Sequence, residues 1–163
     1  MKFELVELPR LSGKKSTIYS LIINDDSLTL FDKFIEENDP EFPDEIDSIF
    51  DTLNKIGHKY GASREFFKEN EGKLGDLVCA LYDTPNSNLR LYCIRLGNAV
   101  IILGGGGHKP KTIRALQENP KLTKENELLR IFSELLHQKM LDKEIYWNGD
   151  MELNGDLIID TNE

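Results

Sequence analysis

The chain has little of what many specialised chemistries need. Its 163 residues include two cysteines, three histidines and one tryptophan. Cys79 and Cys93 both sit inside apolar, strand-like runs. They read as small buried hydrophobes, with neither a disulfide framework nor a zinc spacing around them. No EF-hand-like loop occurs, so no metal and no cofactor is expected. The apolar runs, such as Ala99-Val100-Ile101-Ile102-Leu103, fall far short of the ~20 residues that span a bilayer. The opening MKFELVELPR has no apolar signal-peptide centre. A cytoplasmic protein with no membrane partner is the expectation.

Positive charge is also scarce. Twenty Lys and Arg stand against 29 Asp and Glu, for a net charge of -9. That balance argues against a generic nucleic-acid binder, whose affinity rests on neutralising phosphates. It does not exclude a local basic site. Residues 24–51 hold eleven acids and only Lys33, whereas residues 90–124 hold Arg90, Arg95, Lys109, Lys111, Arg114, Lys121 and Lys124 against Glu118 alone.

What is present is a regular alternation of patterns. Residues 2–8 alternate and predict a strand, and the β-branched run 16–23 predicts a second. Asp25-Asp26-Ser27 suits a cap for a helix through Glu37. Pro43-Asp44-Glu45 opens a second helix with an apolar stripe of Ile46, Ile49, Phe50, Leu53 and Ile56, which Gly61 stops. One further turn is expected around Phe66 and Phe67. Strands follow at about 75–82, 88–96 and 98–103, joined by short links and therefore antiparallel. Residues 111–117 suit a helical turn, Thr123 suits the cap of a last helix, and 151–160 predicts a strand that completes the sheet.

The expected fold is α+β, a single domain over 1–163. Its antiparallel sheet has about four to six strands with helices on one face, plus a C-terminal extension strand. Residues 1–41 supply N-terminal strands and a short helix, 42–140 the core, and 141–163 the extension. The continuous apolar run 99–103 predicts a central strand covered on both faces.

Gly104 to Gly107 match neither a P-loop nor a dinucleotide-binding turn. Without side chains, they allow close approach of a ligand or partner at a strand end. A bulge and turn with no ligand is the plainer reading. Pairing across Gly97-Asn98 puts residue 92 near 103 and residue 90 near 105, so Arg90 should lie close to His108 and Lys109. Alternation puts Arg90, Tyr92 and Ile94 on one face, away from Leu89 and Leu91. An Arg fork could hold a phosphate, lysines could stabilise charge on a phosphorane, and His108 could serve as general acid or base. A solvated strand end with Arg90 paired to an acid accounts for the same residues. His58 and His137 fall in helical patterns and read as surface residues.

The segment from Phe42 to Leu136 resembles RelE/HigB-like toxins of type II toxin-antitoxin systems, in the phage-derived HigB-like branch. The likeness rests on a helix ending near Tyr60-Gly61, the KLGD-L of Lys73 to Leu77, and a strand with Leu-Tyr-Asp. The run NLRLYCIRLGNAVIILGGGG and a Lys-rich turn before a helix complete it. The resemblance implies a RelE-like fold and a ribosome-dependent mRNA endonuclease, or mRNA interferase. In that reaction the RNA 2′-OH attacks the adjacent phosphate without metal or cofactor. It also implies an antitoxin partner, for instance of helix-turn-helix type, and contact with ribosome and mRNA.

Arg90 matches the strand arginine that contacts the scissile phosphate. Lys109 and Lys111 match the basic positions after it. With His108 these form the expected catalytic set, and Tyr92, Arg95 and Arg114 the supporting RNA contacts. The chain departs from the family in its acidity and in glycines where an aromatic precedes the lysines. It also carries extra segments at both ends. A catalytically inactive, diverged protein-binding module and a small-molecule binding domain therefore stay open. The nuclease needs Arg90 and the lysines exposed on one face; the protein-binding module tolerates them tied up by acids. A small-molecule site needs an apolar pocket behind the glycines.

Overall fold

The computed structural model describes residues 1–68, 77–110 and 119–162. Within them lie β1 (Lys2–Glu7), β2 (Thr17–Ile23), α1 (Leu30–Asn38) and α2 (Pro43–Lys55). A π turn (Ile56–Tyr60) and a 3-10 turn (Arg64–Phe66) lead into β3 (Phe67–Lys68), β4 (Val78–Leu81), β5 (Leu89–Leu96) and β6 (Val100–His108). Helix α3 (Pro120–Leu141) follows, then β7 (Ile145–Asn148), β8 (Glu152–Gly155) and β9 (Ile158–Asp160). The fold is α+β. Seven strands form one sheet in the order β3-β4-β5-β6-β2-β1-β9, and β7-β8 form a separate ribbon.

Seven strands exceed the expected four to six. The extra strand is β3, two residues whose pairing carries no clear sequence pattern. The segment 151–160 is split. Its second half, β9, pairs with β1 and extends the sheet, while its first half pairs with the unanticipated β7. All pairings in the large sheet are antiparallel except that of β2 with β6, which runs parallel from Thr17↔Val100 to Ser20↔Leu103. Strand β6 is fourth of seven and buried on both faces, as its continuous apolar run requires.

Helices cover both faces of the sheet, rather than one. On one face Ile18, Ile101, Leu103, Leu89, Leu91 and Cys93 pack with Phe31, Phe34, Ile46 and Leu53 of α1 and α2. On the other, Phe3, Leu21, Ile94 and Ile102 pack with Leu129, Phe132 and Leu136 of α3. Phe3 and Phe132 meet in a tilted pair with ring centres 5.4 Å apart. Each such side chain contributes about 1.5–3 kcal/mol by leaving water. Both faces could be filled because the sheet alternates apolar residues to both sides.

The helix starts differ from their expected caps. Asn24 and Asp25 adopt positive φ in a turn. Helix α1 begins later, with Thr29 and Asp32 in a reciprocal capping box. Helix α3 is capped by Asn119, which accepts from Leu122 N–H, with Pro120 in its first turn. Thr123 lies inside that helix. The expected turn at 111–117 lies outside the described residues. The β5-β6 hairpin turns over residues 97–99, with Gly97 at φ +59°, a conformation that favours glycine.

Candidate functional site

The register of the β5-β6 hairpin decides what surrounds Arg90. Leu96↔Val100 through Cys93↔Leu103 pair in step; beyond a bulge, Leu91↔Gly106, Arg90↔Gly107 and Leu89↔His108 pair. Gly104 and Gly105 thus lie opposite the single residue Tyr92. The expected partners, 92 with 103 and 90 with 105, are corrected by one residue before the bulge and by two beyond it. The glycines are strand residues, not the end of the strand.

What approaches the glycines is a helix. A side chain on Gly104 would meet Leu129 Cδ1 at 2.5 Å, one on Gly105 would overlap the Glu125 carboxylate, and one on Gly107 would meet Lys121 Cγ at 3.3 Å. Lys121, Glu125 and Leu129 recur every four residues and form one stripe of α3. That stripe lies on the bulged strand because the strand has no side chains there. Gly106 lies instead against the Arg90 backbone oxygen. The bulge is as expected of the plainer reading, and the close approach is that of the fold's own helix.

Arg90 and Lys109 meet at a residue that the sequence did not single out. Asp83 follows β4 and is buried. Arg90 Nε donates to its Oδ2 at 3.1 Å, Lys109 Nζ lies 3.1 Å from its Oδ1, and Lys68 Nζ bonds Oδ1 as well. Lys109 Nζ also donates to Thr84 O at 2.6 Å. Arg90 is 7% exposed and Lys109 5%. Burial by itself would raise the Asp83 carboxyl, but Lys68, Arg90 and Lys109 outweigh it and hold it below the ordinary range. Asp83 is therefore a fixed carboxylate and a weak base at neutral pH.

The surrounding elements hold this cluster in place. From α2, Glu45 accepts from Asn88 N–H and Asn88 Nδ2, each at 2.8 Å, and from Leu89 N–H at 3.1 Å. These bonds fix the entry to β5 just before Arg90. Lys109 N–H donates to Asn88 O at 2.8 Å, tying the end of β6 to the same point. A cleft of about 270 Å³ opens beside Asp83, walled by Ser48, Ile49 and Thr52 of α2 and by Tyr82 and Thr84.

The other expected site residues are not gathered there. His108 is exposed, with its ring 5.4 Å from that of Phe42. Tyr92 is buried in the core under α3. Arg95 sits near the opposite end of β5, donating to Ala62 O and Asn98 Oδ1, each at 2.6 Å. Lys111 and Arg114 lie outside the described residues. Cys79 and Cys93 are directly paired across β4-β5, free, with sulfurs 3.6 Å apart. Burial, then the neighbouring Cys79 thiol, pushes the Cys93 thiol up. Among the described residues no cluster of His, Cys, Asp or Glu is arranged to hold a metal ion, and no helix is long and apolar enough to cross a membrane.

Asp83 was visible as part of the Leu-Tyr-Asp signature, but nothing in its local pattern marked it as the anion that Arg90 meets. Compared with models of known protein families, with curated proteins and with solved structures, the chain matches none.

Proposed function

We propose that the chain is a diverged RelE/HigB-like protein that keeps the family's fold and its capacity to bind an antitoxin-type partner, and has lost mRNA cleavage. In support of the kinship, a helix and its π turn end at Tyr60 before Gly61. The strand carrying Val78–Leu81, the hairpin β5-β6 and a closing helix then follow in the family's order. The burial of Arg90 and Lys109 on Asp83 carries the functional half of the reading. A scissile phosphate would have to compete with a carboxylate already seated on both cations. Two negative charges ~5 Å apart, at an effective dielectric of ~20, repel by roughly 3 kcal/mol. His108, the expected proton-transfer group, stands out in solvent against Phe42.

Induced expression of wild type, Asp83→Asn and Arg90→Ala, with growth curves and primer extension of a highly translated mRNA, tests this. No growth arrest and no new 5′ ends are expected from any of the three. Arrest with new ends in wild type, abolished by Arg90→Ala, overturns the reading in favour of a nuclease. Cleavage by Asp83→Asn alone overturns it too, because the chemistry would then be masked rather than lost. For the partner, co-expression with the adjacent gene's product should give a complex on size exclusion; two separate peaks would remove that part of the proposal.

A further inference from the structure

A second cavity is lined by the glycine strand and by α1 and α3. It has a volume of about 340 Å³, within the range of small-ligand sites. Its floor is the backbone of Gly105 and Gly106, and its walls are α1 and α3. Leu30, Phe34 and Leu128 give it apolar surface, and Glu37, Lys121, Lys124 and Glu125 give it charge.

Glu125 is the anomaly. It is 7% exposed, and only one of its oxygens is engaged: Oε1 accepts from Lys121 Nζ at 2.9 Å. Oε2 is buried without a hydrogen-bond donor. Native structures rarely leave a buried carboxylate oxygen unpaired, because its lost hydration is not replaced. The cations nearby are unevenly committed. Lys33 pairs with Asp26, and Lys121 bridges Glu37 at 3.2 Å and Glu125. Lys124 has no acidic partner among the described residues. The cavity is thus bordered by a carboxylate with one oxygen that lacks a donor, closed off over Gly105, and by a cation that lacks an acidic partner.

We propose that this cavity binds a small zwitterion of the amino-acid class. Its ammonium donates to Glu125, its carboxylate meets Lys124, and its hydrocarbon body lies on Leu30, Phe34 and Leu128. A simple amine fits less well, since three lysines line the site and repel a cation that brings no anion of its own. Solvent does not reach Oε2, which lies over Gly105. Binding therefore requires a turn of the Glu125 carboxylate from Gly105 into the cavity and an outward swing of Lys121, 46% exposed at its side chain, whose place between Glu37 and Glu125 the ligand ammonium takes. The proposal stands independently of the loss of nuclease activity.

Titration of ¹⁵N-labelled protein with glycine, L-leucine and 6-aminohexanoate, with hexylamine and hexanoate as the two halves, tests it. Saturable shifts of the Gly105, Gly106 and Leu128 amides are expected from at least one zwitterion, with a Kd of about 1 mM or tighter. Glu125→Gln should weaken that binding by about tenfold or more. Lys121→Met, which removes the competing ammonium, should tighten it. Opposite effects of the two variants cannot both come from a damaged fold. If no probe shifts these amides at ~50 mM, above any useful affinity, water is the partner of Oε2 and the proposal fails. Equal affinity for Glu125→Gln and wild type also overturns it. Binding of hexylamine as tight as that of any zwitterion overturns the role of Lys124.

Discussion

Removing Asp83 should destabilise the protein more than removing either cation it holds. In Asp83→Ala, Arg90 and Lys109 remain at 7% and 5% exposure with their shared counter-charge gone. Breaking a buried ion pair by deleting one partner costs about 3–5 kcal/mol, because a charge is left uncompensated. That is a large share of the roughly 5–15 kcal/mol that stabilises an ordinary domain. Arg90→Met should cost less, since Asp83 keeps Lys68 and Lys109 and the new side chain fills similar space. Urea unfolding followed by circular dichroism, with slopes compared across variants, measures both.

The difference between wild type and Asp83→Asn should also depend on pH in one direction. The folded carboxyl is held below its ordinary value, so its stabilisation is present above the unfolded value near ~3.9 and is lost as pH falls through the lower, folded one. An Asp83→Ala cost under about 1 kcal/mol, typical of exposed pairs, would refute the claim that this carboxylate neutralises buried cations. So would an Arg90→Met cost larger than that of Asp83→Ala.

The helix-on-glycine packing makes a graded prediction. Gly104→Ala should lower stability by about 1–3 kcal/mol through overlap with Leu129, whereas Gly107→Ala, facing the flexible stem of Lys121, should cost clearly less; thermal unfolding ranks them. Tyr19→Phe removes the hydroxyl that accepts from Leu153 N–H at 3.0 Å. It should cost about 1–3 kcal/mol and speed amide exchange at Leu153, since the buried donor is left unpaired. Thr29→Ala should cost about 1 kcal/mol by opening the capping box of α1, read by urea unfolding.

The parts of the fold that were legible rest on local patterns. Alternation through Leu89 to Cys93 and the turn at Gly97 define the hairpin without outside information. The apolar run 99–103 foretells a central strand. The same pairing brings Arg90 and Lys109 near one another, and the structure sets both on one carboxylate. The register differs from the one expected because a run of identical glycines shows no sign of where a bulge falls. The parallel seam of β2 with β6 was not legible, since strands so distant in sequence carry no mark of each other. Nor was α3's place on the second face, which follows from the glycines beneath it. Asp83 is one of 29 acids, and only the path of its loop selects it for Arg90. Glu125 reads in sequence as an ordinary helix-surface glutamate; its burial arises from the bare strand it covers.

The parallel seam also governs the order in which the molecule can be assembled. Ser20 and Leu103, which close it, are 83 positions apart, and Ser20 Oγ donates to Leu103 O at 2.8 Å. During synthesis at roughly 5–20 residues per second, β1 and β2 can pair with each other within seconds of emerging. The inner edge of β2 then waits about 4–16 seconds more for its partner. Until β6 arrives, that edge is an open template for another chain. Ser20 lies at the end of the seam, and its hydroxyl also accepts the Phe31 amide, so α1 can shield part of the edge early. The centre of the finished sheet is therefore joined only after its β1-β2 pair has formed, and the nascent protein is most prone to mispairing before β6 is made.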